Sequence, residues 1–116
     1  MEKVNLNINL HYFKMKEFDQ PGKPGSGVDN MNLDLLMILD NMRHRAKIPF
    51  VITSAFRSKI YNQRIGGVPN SAHCFGKAVD IQAKTSKEKY LIIEAALHFG
   101  IERIGVGSDF VHIDIQ

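Results

Sequence analysis

The stretch NSAHCFGKAVDI, residues 70–81, holds a turn and the opening of a strand. Asn70, Ser71 and Gly76 are turn-forming types. From Lys77 the chain alternates: Val79 and Ile81 share one face, and Ala78, Asp80 and Gln82 share the other. A period of two with one apolar face is the pattern of a strand lying on a core. The same stretch puts His73 just ahead of that strand and Asp80 on its polar face. An imidazole and a carboxylate so placed are metal ligands, or a turn histidine and a surface aspartate. The stretch alone leaves both readings open.

Further along, TSKEKYLIIEAALHFG (85–100) opens with the capping-box pair Thr85 and Glu88 and closes on Gly100, which predicts a helix. IERIGVG (101–107) predicts a strand, Gly107-Ser108 a turn, and DFVHIDI (109–115) a last strand. In that strand Val111, Ile113 and Ile115 face one way, His112 and Asp114 the other. Before the opening stretch, FVITSAF (50–56) is β-branched and aromatic and reads as a strand. RSKIYNQRIGG (57–67) reads as a short helix or turn stopped by Gly66 and Gly67. Leu35, Leu39, Met42 and Ala46 recur at helical spacing, which predicts a helix with Asn30 as its N-cap and Pro49 as its stop. DQPGKPGSG (19–27) predicts an irregular loop, and VNLNINL (4–10) a strand with one wet face. The sum is an α+β domain, two main helices packed on a small, largely antiparallel sheet.

The length of 116 residues fits a single domain, residues 1–116. With 44% hydrophobic residues and no Trp, the core must rest on Phe, Tyr, Ile, Leu and Val. A net charge of +3 is mildly basic and suits an anionic polymer. There is no dense Lys/Arg tract, since RHRAK (43–47) reads as the basic end of a helix. Nor is there a basic stripe interleaved with aromatics, so no nucleic-acid partner is expected. Cys74 is the sole cysteine, which excludes an internal disulfide. No stretch approaches the ~20 apolar residues of a membrane span, so no membrane partner is expected. No signal-peptide pattern opens the chain.

The polar faces of the 77–83 and 109–115 strands would line one cleft if a sheet set them side by side. His73, Asp80 and His112 would then converge. Zinc takes imidazole nitrogen at about 2.0–2.1 Å and carboxylate oxygen at about 2.0–2.2 Å, and three protein ligands leave an open position for chemistry. Metal-bound water acting as a nucleophile also needs a nearby carboxylate, not bound to the metal, to take its proton. Asp109 is placed for that if the strand begins at the cleft rim. Plain readings stand beside these: Asp80 solvating an edge strand, His112 on a sheet surface, Asp109 as a turn former, Arg57 as a surface cation. Asp114 shares a face with His112 and is a rival base or a support for a ligand histidine. His44 and His98 lie near helix C-termini and His11 stands by itself, so none joins the set.

SAFRS (54–58), GGVPNSAHCFGKAVDI (66–81) and FVHIDI (110–115) together resemble the zinc peptidases of the D-alanyl-D-alanine carboxypeptidase and L-alanyl-D-glutamate endopeptidase group, peptidase family M15. The family pattern Ser-x-His-x-x-Gly-x-Ala-x-Asp is matched by Ser71, His73, Gly76, Ala78 and Asp80. Ser-x-x-Arg-Ser is matched by Ser54, Arg57 and Ser58, with Asn62 following, and HYFKMKEFDQPG (11–22) is similar to the family's entry segment. The likeness runs from about Tyr12 to Ile115.

It implies a hedgehog/D-Ala-D-Ala peptidase-like fold and a Zn2+ ion held by His73, Asp80 and His112. It implies Asp109 as catalytic acid and base. Arg57 would bind a substrate carboxylate or polarise a carbonyl, and Ser71 would contact substrate. The substrate implied is the stem peptide of bacterial peptidoglycan, cut by a carboxypeptidase or an endopeptidase, with the protein a monomer. The chain fits a phage lysin released to the cell wall, or a catalytic domain cut from a larger protein. The rival expectation is a non-catalytic zinc-bearing module on the same scaffold, binding cell wall or protein, as in the hedgehog amino-terminal domain. Cys74, beside His73, would compete for zinc only if it turned inward, and adjacent side chains usually point apart.

Overall fold

The structure, a computed structural model, describes residues 9–116. Its helices are α1 (Ser26–Asn30), α2 (Leu33–Ala46), α3 (Lys59–Arg64) and α4 (Ser86–His98). Its strands are β1 (Ile52–Ser54), β2 (Ala78–Gln82), β3 (Arg103–Val106) and β4 (Phe110–Asp114). Single 3-10 turns cover Met15–Phe18 and Ala72–Phe75. No helix among the described residues is long and apolar enough to cross a membrane.

The alternation read from the sequence builds the sheet. β2 and β4 are its central strands, in the order β1-β2-β4-β3, and every pairing is antiparallel. Val79 lies across from Ile113 and Ile81 across from Val111, all fully buried. This apolar face packs into one core with Leu35, Leu36, Leu39 and Met42 of α2 and Ile92, Ala95 and Ala96 of α4. Each such large side chain contributes about 1.5–3 kcal/mol by leaving water. On the opposite face Asp80 lies directly across from His112. The α+β expectation of two long helices on a small antiparallel sheet describes the molecule.

The capping box of α4 forms as expected. Glu88 N–H donates to Thr85 Oγ1 at 3.1 Å, and Thr85 N–H donates back to Glu88 Oε1 at 3.1 Å. Gly100 follows with φ +83°, which an L side chain rarely adopts.

Three boundaries differ from expectation. The cap of α2 is Asn32, whose Oδ1 accepts from Leu35 N–H at 3.1 Å, and not Asn30. Asn30 instead ends α1 and donates its amide to Ser26 O at 2.8 Å. The buried, extended Met31 separates the two helices. The 19–27 segment is not wholly irregular, because Asp19 accepts from Gly25 N–H and Gly27 N–H and starts α1. β1 is shorter than 50–56 because residues after Ala55 leave the sheet for other partners. Arg57 N–H donates to His73 O at 3.2 Å, and Ser58 N–H donates to Gln20 Oε1 at 2.7 Å. The strand expected at 4–10 lies outside the described residues but for Asn9 and Leu10, which are irregular.

Candidate metal centre

His73 is delivered by the 3-10 turn Ala72–Phe75. Ser71 caps that turn, its Oγ accepting from His73 N–H at 3.2 Å. Gly76 ends it at φ +67°, where any side chain would run into the carbonyl of Asn30. Asn32 N–H donates to Gly76 O at 2.9 Å, so the turn is docked against the junction of α1 and α2. The His73 ring is buried, and its Nδ1 lies 2.7 Å from Ala55 O. A carbonyl only accepts, so Nδ1 carries the proton. The other ring nitrogen, Nε2, faces Asp80 Oδ1 at 3.3 Å.

His112 reaches the same oxygen across the β2–β4 pair, with Nδ1 2.8 Å from Asp80 Oδ1. Its far nitrogen is also held: Nε2–H donates to Asp114 Oδ2 at 2.8 Å. Asp114 is buried, and its Oδ1 accepts from Arg103 Nε–H at 2.6 Å and from Gln116 N–H at 3.2 Å.

The charges follow from this packing. Burial on its own would raise the Asp80 carboxyl, but hydrogen bonds from His112 and His73 outweigh it and hold the group far below the usual carboxylate range. The bond to Asp80 pushes His112 above its ordinary value, against burial and helped by Asp114. Burial likewise opposes ionisation of Asp114, and the bonds from His112 and Arg103 prevail to lower it. One carboxylate oxygen facing two imidazole nitrogens is satisfied by a proton or by a cation.

A cation fits. One ligand atom from each of His73, Asp80 and His112 lies within 4.8 Å of the other two. Tetrahedral zinc with ~2.05 Å bonds needs about 3.3 Å between ligand atoms. The His73–Asp80 pair stands at 3.3 Å and the His112–Asp80 pair at 2.8 Å, so of these two only the latter must open, by about half an ångström. Two nitrogens and one carboxylate oxygen are a zinc-type donor set that leaves a side open. That side faces a cleft of about 440 Å³.

Arg57 lines the cleft and is braced. Its Nε–H donates to Ser54 Oγ at 3.0 Å and one Nη1–H to Asn62 Oδ1 at 3.1 Å, with Nη2 3.6 Å from Asp80 Oδ2. Asn62 is buried and also donates to Val68 O at 2.9 Å, and a side chain at Gly67 would collide with its amide. Ser71 lines the cleft as well as capping the turn. Gly105 lies across from His112, and a Cβ there would stand 3.5 Å from His112 Cβ. The missing side chain leaves that face of the imidazole open to the cleft.

Asp109 is not among the residues that line the cleft, though Gly107 and Phe110 of the same turn are. It is exposed in the β3–β4 turn, and its carbonyl accepts from Ala83 N–H at 2.8 Å. Cys74 does not join the ligand group and lines a separate hollow with Lys59 and Asn70. His44 Nδ1 is bonded to the Tyr12 hydroxyl at 2.6 Å, away from the cleft, and neither His11 nor His98 belongs to the ligand group.

Ala55 and Gly105 escaped sequence reasoning as parts of the site. Ala55 acts through its backbone and carries no signal. Gly105 is found only once the β3–β4 register is known. Asn62 stood out only as following the Arg57 motif, and its bracing of Arg57 is seen only in the structure.

The family model described as Peptidase M15 matches residues 11–114. No curated protein matches the chain.

Proposed function

The chain belongs to the peptidase M15 family, and on that premise we propose that it is a zinc-dependent peptidase hydrolysing stem-peptide bonds of bacterial peptidoglycan. The observation that supports the metal reading most is the pair of histidines. Each has its far nitrogen engaged by an acceptor while its near nitrogen faces Asp80 at the cleft floor. His73, Asp80 and His112 would hold the ion. When bound, zinc supplies a Lewis acid for the scissile carbonyl and lowers the pKa of water toward ~7.

The other residues bind and orient. Arg57 has hydrogens left beyond those given to Ser54 and Asn62, and these serve a substrate carboxylate or a developing oxyanion. The Ser71 hydroxyl accepts from His73 N–H, and its own proton is available to a substrate carbonyl. Exposed Val68 and Val106 on the cleft walls suit small apolar side chains such as alanine. Asp109 is the proposed proton carrier, in the turn between the cleft-lining Gly107 and Phe110.

The test is digestion of purified peptidoglycan with and without chelator, with products weighed by mass spectrometry. Chelator-sensitive release of stem fragments is expected, and the masses assign carboxypeptidase or endopeptidase cleavage. Chelator-insensitive cleavage sinks the metal reading. Asp109→Asn is expected to keep zinc and lose hydrolysis, and undiminished activity would remove Asp109 from the role. The exposure of Asp109 in the β3–β4 turn supports a second reading, a zinc-bearing module that binds wall or protein without cutting it. Retention of the zinc-loaded protein on peptidoglycan with no products released is the result expected of that module.

A further inference from the structure

The two far-nitrogen acceptors differ in kind, and that difference carries an inference resting on the metal reading above. We propose that Asp114, oriented by Arg103, is a positioning residue that holds a proton of His112 on Nε2, so that Nδ1, the nitrogen facing Asp80, is the one a metal takes. The geometry is a chain of three side chains across two strands. Arg103 lies across from Asp114 in the β3–β4 pair, and Asp114 lies two residues after His112 on the same face of β4. Arg103 Nε–H donates to Asp114 Oδ1 at 2.6 Å, and His112 Nε2–H donates to Asp114 Oδ2 at 2.8 Å. Asp114 is 5% exposed, so water competes little for either oxygen.

The chain has a direction. Arg103 and Gln116 N–H can only donate, and both donate to Oδ1. An asparagine at this position would keep its oxygen toward those donors and turn its amide nitrogen to His112. An amide nitrogen only donates, so Nε2 would have to accept, and the ring proton would move to Nδ1. That is the nitrogen facing Asp80 and the metal position. An alanine would instead leave Nε2 to water, which accepts or donates and imposes neither tautomer. The conservative replacement is therefore the more damaging one, an order that loss of packing alone does not produce.

The experiment titrates zinc into the metal-free full chain against a competing chelator and records imidazole 15N spectra with and without zinc. Loss of an outer partner of a ligand histidine typically weakens metal binding about 10–100-fold. Asp114→Ala is expected near about tenfold and Asp114→Asn near about a hundredfold within that range. Nε2 of His112 is expected to be protonated in the wild type, with or without zinc, and unprotonated in zinc-free Asp114→Asn. Asn binding zinc as tightly as Ala, or better, overturns the proposal, as does an unprotonated Nε2 in the wild type. The wild-type spectrum decides alone if neither variant folds. Zinc failing to bind the wild type would sink the metal reading, and the zinc-free spectra would still judge the relay.

Discussion

His73 and His112 approach one carboxylate with their rings 5.2 Å apart, yet they are held by different means. His73 is 2% exposed and donates to a backbone carbonyl. The His112 side chain is 26% exposed and donates to a carboxylate that is itself tied to an exposed arginine. A backbone acceptor neither titrates nor mutates, so the orientation of His73 belongs to the fold. Asp114 does both, so the orientation of His112 is adjustable. One half of the centre is built in with the core, and the other half is set by side chains at its edge.

Removing either ring tests that contrast most severely. His73→Ala and His112→Ala should each weaken zinc binding by more than about a hundredfold, beyond the usual loss for an outer partner. Their effects on the metal-free fold should separate. His73→Ala leaves a cavity and an unpaired Ala55 carbonyl, and should cost on the order of 2–4 kcal/mol in denaturant unfolding. His112→Ala should cost less than that, because its side chain is 26% exposed and water can take over part of its bond to Asp80. Equal losses would break the comparison.

A gentler test is pH. The folded pKa of His112 lies above its unfolded value, chiefly through the bond to Asp80. Its contribution to stability is therefore complete below an unfolded pKa of ~6.5 and is lost as pH rises through the raised folded value. Asp80 is shifted the other way, so its contribution is held at every pH above ~4 and lost only in strong acid. The melting temperature of the metal-free protein should fall as pH climbs from about 6 into the alkaline range. A saturating cation takes the place of the proton, so the zinc-loaded protein should melt progressively further above the metal-free one as pH rises. A gap that narrows over that range would mean that the proton and the cation do not share the site.

The smallest effect concerns the open side of His112. Gly105→Ala places a methyl in ordinary contact with His112 Cβ and should change KM less than about threefold. Gly105→Leu fills the cleft beside that ring alone and should raise KM with zinc affinity kept. Loss of zinc in the leucine variant would show that the ring, and not the cleft, had moved.

Much of this was legible in the letters. Period-two alternation put Asp80 and His112 on the polar faces of their strands, because each apolar neighbour must meet the core. It could not say that the two strands are adjacent, which depends on pairing over a long separation. The expectation for Asp109 rested on the strand starting at the cleft rim; β4 does begin at the cleft-lining Phe110, and Asp109 sits in the turn before it, where strand alternation no longer says which way a side chain faces. His73 was legible from its motif, but its acceptor is a backbone atom at Ala55 and leaves no trace in sequence. For α2 the cap is Asn32 and not the expected Asn30, with the buried, extended Met31 between them.

The direct pairing of Asp80 with His112 reaches beyond the chemistry of the cleft. A slip of one residue between β2 and β4 would send the two side chains to opposite surfaces of the sheet. Only a correctly threaded chain can therefore assemble the ligand set. A cation present during refolding would act as a proofreader of strand alignment, retaining aligned chains and leaving misaligned ones free to unravel and try again.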